Sequence, residues 1–200
     1  SWQVSLLEAN ARDLRQCLQT GVIDLCLDVE PADPHLFRSA VWYEETILLA
    51  VPAAFPVNQG LEKFQLSALQ VREGAHLRED VPPVDLSRFA QEPFLLLKEG
   101  NDLCQRARKL CRNAGFVPKA GMELDQMLTA YYVARDGKGC TFLRDGMAQI
   151  MGGDDRLIFY KLADEAARRA VLLSWRKSAE LSRPAKALLG FLTGGRAQTE

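Results

Sequence analysis

An excess of charge of either sign is missing from this chain. The 25 basic and 26 acidic residues leave a formal net charge of −1, which excludes the electropositive footprint of a nucleic-acid or acidic-membrane binder. Histidine is nearly absent. His35 and His76 lie far apart with no partner at metal-ligand spacing, so the expectation is two surface histidines and no metal. No apolar run approaches the length of a membrane span, and Ser1-Trp2-Gln3 does not read as the start of a signal peptide. The five cysteines, Cys17, Cys26, Cys104, Cys111 and Cys140, are odd in number and include no C-x-x-C pair, which favours a reducing cytoplasm. Cys104 and Cys111 fall two helical turns apart, about 10 Å by helix rise, too far for a disulfide. Gly137-Lys138-Gly139 lacks a following G-K-[ST] and reads as a turn between helix and strand, not a phosphate loop. No convergent nucleophile, base and acid are found, so neither an enzyme nor a cofactor is expected.

What is present is α/β patterning. Two hundred residues, 48% of them hydrophobic, suffice for one large domain or two small lobes. Trp2 to Glu8 alternates like a strand. Asn10 stands as an N-cap with Asp13 in the first turn, Gly21 ends the helix, and Ile23 to Asp28 reads as a second strand. This strand–helix–strand order predicts parallel pairing with a right-handed crossover. Val41 to Val51 is the strongest strand signal, and Pro52-Ala-Ala-Phe-Pro56 stops it at a candidate hinge. Residues 57–92 are weakly patterned, with a short helix at Leu66–Gln70, a mobile loop at Val71–Val84 and a helix capped by Asp85. The order then becomes regular. A strand at Pro93–Lys98, a helix at Asp102–Ala114, a strand through Met122, a helix at Asp125–Arg135 and a strand through Cys140–Leu143 follow one another. Leu157–Leu162 and Val171–Trp175 are strands, Asp164–Arg168 is a charged crossing, and Arg183–Leu192 is a helix with Pro184 in its first turn. Asp154-Asp155 beside Gly152-Gly153 reads as a solvated turn. Arg168-Arg169 with Arg176-Lys177 reads as a solvated edge.

The order of these motifs resembles the effector-binding domain of LysR-type transcriptional regulators. The resemblance is carried by L-x-E-A-N with its helix and T-G-V-I-D-L-C-L-D, and by T-I-L-L-A-V-P followed by F-P. It continues in E-L-D-Q-M-L-T-A-Y-Y-V-A-R-D-G-K-G-C-T-F-L-R-D and closes in R-R-A-V-L-L-S-W-R-K-S-A-E-L-S-R-P-A-K. It implies two Rossmann-like lobes of periplasmic-binding-protein type II-like fold, with a ligand cleft at the hinge. Lobe I would comprise residues 1–51 and 167–200, and lobe II residues 52–166. The domain would bind a small-molecule effector and pass the change to an N-terminal helix-turn-helix DNA-binding domain, absent here. DNA would be met only through that domain. The family pattern also places a first strand and helix of lobe I ahead of Trp2, and their absence would leave ladder hydrogen bonds exposed. A homodimer is expected, with a tetramer open to the full-length protein, in the cytoplasm and away from membranes. A solute-binding protein of a transport system with the same fold is the alternative. A peroxide-sensing branch of the family uses a cysteine pair in this region. Cys111 resembles its resolving cysteine, but the partner would fall near Asp102 rather than Cys104, so two packing cysteines are expected.

By position, lobe I would line the cleft with Asn10, Ala11, Asp28 and Val29. Lobe II would contribute Glu99, Gly100, Asn101 and Asp102, then Leu124, Asp125 and Gln126, then Cys140, Thr141 and Phe142. Strand carboxyl ends and helix N-termini offer unpaired N–H groups to carboxylate, phosphate or carbonyl oxygens. The ordinary reading of Asn10, Asp102 and Asp125 is helix capping. Asp28, Glu99, Asp102 and Asp125 compete with a purely anionic ligand, so a zwitterion, a cation or a neutral polar molecule stays open.

Overall fold

Phe94, Leu95, Leu96 and Leu97 are apolar without alternation, the pattern of a strand covered on both faces. In the computed structural model, which describes residues 2–151 and 155–194, all four are buried. Their strand, β4 (Pro93–Leu97), lies between two parallel neighbours, β5 (Lys119–Leu124) and β6 (Cys140–Arg144). Helix α3 (Asp102–Asn113) joins β4 to β5, and α4 (Met127–Arg135) joins β5 to β6. The expected strand–helix–strand–helix–strand order is therefore present.

Backbone proximity divides the chain into two compact units, Glu45–Arg168 and Ser1–Glu44 with Arg169–Glu200. In the first of these, the second half of the long strand β2 (Phe37–Pro52) pairs antiparallel with β6 and with β7 (Leu157–Tyr160), and β7 pairs with β3 (Gln65–Leu66). Alternation along β2 feeds two apolar layers. Ile47, Leu49 and Val51 join Phe94, Leu96, Leu110 and Tyr160, while Leu48 and Ala50 join Leu95, Tyr131, Leu143 and Phe159. Leu103, Ala107 and Leu110 turn one face of α3 into the core, with Cys104 and Cys111 buried beside them. Two glycines shape the entry to β6. Gly137 takes φ 79° after α4, as a left-handed helix end requires. At Gly139 a Cβ would stand 2.7 Å from the Pro93 carbonyl oxygen.

The other unit holds α1 (Ala11–Thr20), β1 (Cys26–Asp28), the first half of β2, β8 (Arg168–Arg176) and α6 (Arg183–Leu192). Asn10 caps α1, its side-chain oxygen accepting from the Asp13 N–H at 3.0 Å, and Gly21 ends it at φ 81°. Ser182 caps α6, with Pro184 in the first turn as expected.

Several expectations are corrected. Trp2 to Glu8 is not a strand: it is exposed and pairs with nothing in the sheet, and an extended chain without a ladder partner keeps its N–H and C=O groups on water. The parallel strand–helix–strand unit is therefore not formed, and β1 pairs antiparallel with β8 instead. Asp85 caps a 3₁₀ turn, Leu86–Phe89, rather than an α-helix, and the short helix α2 is Ala68–Arg72, capped by Ser67. The loop expected to be mobile folds into a 3₁₀ turn, Ala75–Leu77, that buries Ala75 and His76. His76 is thus not a surface residue, although His35 is. Arg169 is buried rather than part of a solvated edge, because alternation in β8 turns it inward with Val171 and Leu173. A short helix, α5 (Asp145–Ile150), follows β6 where none was expected. Asp155 is exposed, and the rest of the Gly152–Asp155 turn lies outside the described residues.

Candidate functional site

Parallel pairing of β4 with β5 sets two strand ends side by side in the Glu45–Arg168 unit, with Leu97 opposite Leu124. This brings Gly100, Asn101 and Asp102 together with Leu124, Asp125 and Gln126. The Lys98 N–H donates to the Leu124 carbonyl at 2.9 Å, and its ammonium donates to the Asp125 carboxylate at 2.9 Å. Gly100 turns the chain at φ 91°. Asn101, not Asp102, caps α3: it is extended, and its side-chain oxygen accepts from the Leu103 N–H at 2.9 Å. Asp102, one residue later, accepts from the Arg106 guanidinium at 3.1 and 3.2 Å, and Arg106 also donates to the Ala166 carbonyl. Asp125 is not a cap either. Gln126 is the N-cap residue of α4 and makes no side-chain capping bond, so it gives the first-turn amides no side-chain acceptor.

Thr141 and Phe142 lie deeper. Thr141 is 2% exposed and its hydroxyl donates to the Leu95 carbonyl at 2.9 Å, while Phe142 stacks on Phe94 in the apolar layer at 5.7 Å. The carboxyl end of β6 is Arg144, two residues further on. Its Nε stands 3.4 Å from the buried Glu45 carboxylate. Next along the chain, Asp145 opens α5 and meets His76 at 3.0 Å.

In the other unit, Asn10 and Ala11 are exposed at the start of α1, and Asp28 and Val29 are half-buried at the end of β1. Arg15 of α1 donates to Asp28 at 2.9 Å and to Glu30 at 2.7 Å, tying helix to strand end. The second Asp28 oxygen accepts from the Val29 and Glu30 N–H groups at 2.7 and 3.1 Å. Those hydrogen bonds hold the turn after β1. A separate groove of about 1510 Å³ runs along the first half of β2, the end of β8 and α6, past Val41, Tyr43, Trp175 and Leu189. None of the fourteen expected site residues lines it.

Sequence reasoning missed Lys98, Glu45 and Arg144. Lys98 and Arg144 each follow the last apolar residue of a parallel strand, so the rule that selects Asn101 would have selected them. Glu45 gave no such signal, since its burial depends on a partner nearly a hundred residues away. Cys111 and Cys140 are poor nucleophiles: burial pushes the Cys111 thiol up to about 12 and that of Cys140 higher still. Among the described residues no cluster of histidine, cysteine and carboxylate side chains could hold a metal. Nor is any helix among them long and apolar enough to cross a membrane.

Parallel strand ends with helices starting beside them define an α/β ligand-binding domain, and comparison with known proteins narrows the class. The family model for the LysR substrate binding domain matches residues 1–196, and the chain belongs to that family. It is 26% identical over 189 residues to the uncharacterized HTH-type transcriptional regulator YcgK of Bacillus subtilis (strain 168), covering 94% of this chain and 56% of that protein. The chain thus spans little more than half the length of that relative. Among solved structures, the regulatory domain of CcmR from Synechocystis PCC6803, in complex with 2-PG, superposes with a TM-score of 0.74 at 14% identity, covering 98% of this chain and 85% of that one. The effector-binding domain of QuiR in complex with shikimate gives 0.68 at 12% identity, covering 98% and 83%. At these identities the likeness is one of fold, the type II periplasmic-binding-like fold.

Proposed function

We propose that this chain is the sensory part of a LysR-type transcriptional regulator, binding a small polar effector without turning it over. The observation that carries this reading is the paired state of the carboxylates around the strand ends. Asp125 is held by Lys98, Asp102 by Arg106 and Glu45 by Arg144, so three of the carboxylates that would repel an anion are already matched. The uncapped first turn of α4 then favours an effector rich in acceptor oxygens, a carboxylate, phosphate or polyhydroxyl compound. Gly100, Asn101, Lys98, Gln126 and Arg144 are its proposed contacts. Thr141 is proposed to act through the Leu95 backbone, and in the other unit, taken by itself, Asn10, Ala11, Asp28 and Val29 stay candidates for a ligand. Effector binding would shift a conformational equilibrium and re-aim an attached helix-turn-helix dimer. Homodimerisation and DNA binding belong to this proposal, and the likeness to YcgK, an HTH-type transcriptional regulator, supports the second of them. The solute-binding alternative is not favoured by any relative described above.

A thermal-shift screen with 2-PG, shikimate and a wider set of polar metabolites tests the reading. A ligand at a hundredfold excess over its Kd should stabilise the domain by about 2.7 kcal/mol. Arg144→Ala and Asn101→Ala should each weaken the hit, and unchanged affinity in both would put the site elsewhere.

A further inference from the structure

His76 and Asp145 are separated by 69 positions yet meet at 3.0 Å in a buried contact of the Glu45–Arg168 unit. The histidine is 1% exposed and the carboxylate nearly as covered. Asp145 is the first residue of α5, directly after the last residue of β6. Arg144, at the N-cap position, offers that helix no side-chain bond. Asp145 supplies one instead: its Oδ1 accepts from the Gly146 N–H at 2.8 Å while its Oδ2 faces His76 Nε2. One carboxylate therefore joins three pieces of chain, the end of β6, the first turn of α5 and the 3₁₀ turn Ala75–Leu77.

We propose that His76 is a positioning residue that holds the carboxyl end of β6 through Asp145, and so fixes where the Arg144 backbone presents its guanidinium. The tautomer follows from the partners. His76 Nδ1 is buried with no hydrogen-bond partner among the described residues, so of the two ring tautomers the one with its proton on Nε2, donating to Asp145, fits the site. A buried carboxylate without that donor would be left with one backbone N–H, a costly state that opening of α5 relieves. Apolar packing makes the device stiff, since Ala68, Val71 and Ala75 share one layer with Ala148, Leu143 and Leu48. The helix, the 3₁₀ turn and the strand end then move as one body. The importance of this clasp to effector binding rests on the strand-end site proposed above; the clasp itself does not.

The test compares two polar substitutions of similar size. His76→Gln carries its amide nitrogen toward the Nε2 position and keeps a donor for Asp145, whereas His76→Asn places it near Nδ1, out of reach. Three readouts apply: long-range 1H–15N correlation of the wild-type ring, amide exchange over Gly146–Ile150, and affinity for 2-PG and shikimate. The expected results are an Nε2–H tautomer, exchange about tenfold or more faster in His76→Asn, and near wild-type exchange in His76→Gln, the size expected of one hydrogen bond to a charged group. Affinity should follow the same order. An Nδ1–H tautomer, or equal exchange in the two variants, overturns the clasp. Selective opening of α5 with unchanged affinity overturns its role in positioning the site. If neither compound binds the wild-type protein, affinity is read with a hit from the wider screen, and the tautomer and exchange still decide the clasp.

Discussion

The two units of this protein are held together in different ways. In Glu45–Arg168 the interior is double-layered, with Leu48, Leu49, Ala50 and Val51 wholly inaccessible and Phe89, Phe94, Phe159 and Tyr160 buried in the same layers. In the other unit the buried cluster is small, Leu18, Cys26, Ala32 and Phe37 with Leu14 and Ile23 at its margin. There Val22, Leu27, Leu36, Val41, Tyr43 and Phe191 remain exposed. Hydrophobic burial scales with the area removed from water. The first unit can therefore lean on its core, whereas the second must draw more on local devices: the Asn10 cap, the Arg15 bridge to Asp28 and the Ser39–Ser174 hydroxyl contact at 2.8 Å. The lesson concerns location. The strand ends of β4, β5 and β6, proposed above to meet the effector, sit on the more densely packed unit, where side chains are held in place by packing beneath them.

The largest test of this contrast is a matched pair of truncations. Phe94→Ala should cost about 3–5 kcal/mol in urea unfolding, as for a phenylalanine lost from a dense core. Phe37→Ala should cost less than about half of that, because its surroundings are sparse enough to relax. Equal losses would break the comparison. The next effect is alkaline. Burial holds the Cys111 thiol and the Tyr160 phenol neutral, each pushed up to about 12 from its ordinary value. In the unfolded chain they ionise first, so their contribution to stability is full below about pH 9 and is lost as pH rises toward 12. Cys111→Ala should flatten that slope in melts recorded from pH 8 to 11, and a slope unchanged by the substitution would remove Cys111 as its cause. The smallest effect is the cap. Asn10→Ala should lower stability by about 1 kcal/mol or less, and helix signal lost with no change in the exchange of Leu48–Val51 would confine the damage to the less densely packed unit.

Much of this was legible in the sequence, and the reasons differ by residue. The run from Pro93 to Leu143 could be read because each of its elements carries its own period and its own terminators, Gly115 and Gly137 among them. LysR-type effector-binding character was readable from motif order, and the family match bears it out. Trp2–Glu8 misled because alternation licenses a strand but cannot supply the neighbour that makes it one. Asn101 and Asp102 are both good caps, and only backbone geometry decides between them. Placing Thr141 inside the sheet and His76 inside the core required long-range facts, the register of β6 on β4 and the packing of α2 against α5.

Gly137 and Gly139 look interchangeable in the string Gly-Lys-Gly, yet they would behave as opposites in a saturation library. At 137 the demand is angular, since nothing lies within 4 Å of an added Cβ but φ is 79°. Asparagine and aspartate, which visit that region, should survive selection there. At 139 the demand is spatial: a methyl group would press on the Pro93 carbonyl at 2.7 Å and on Leu95 at 3.1 Å, and no choice of side chain relieves it. A deep-sequencing profile of folded variants should therefore show a small permitted alphabet at the first glycine and a single letter at the second.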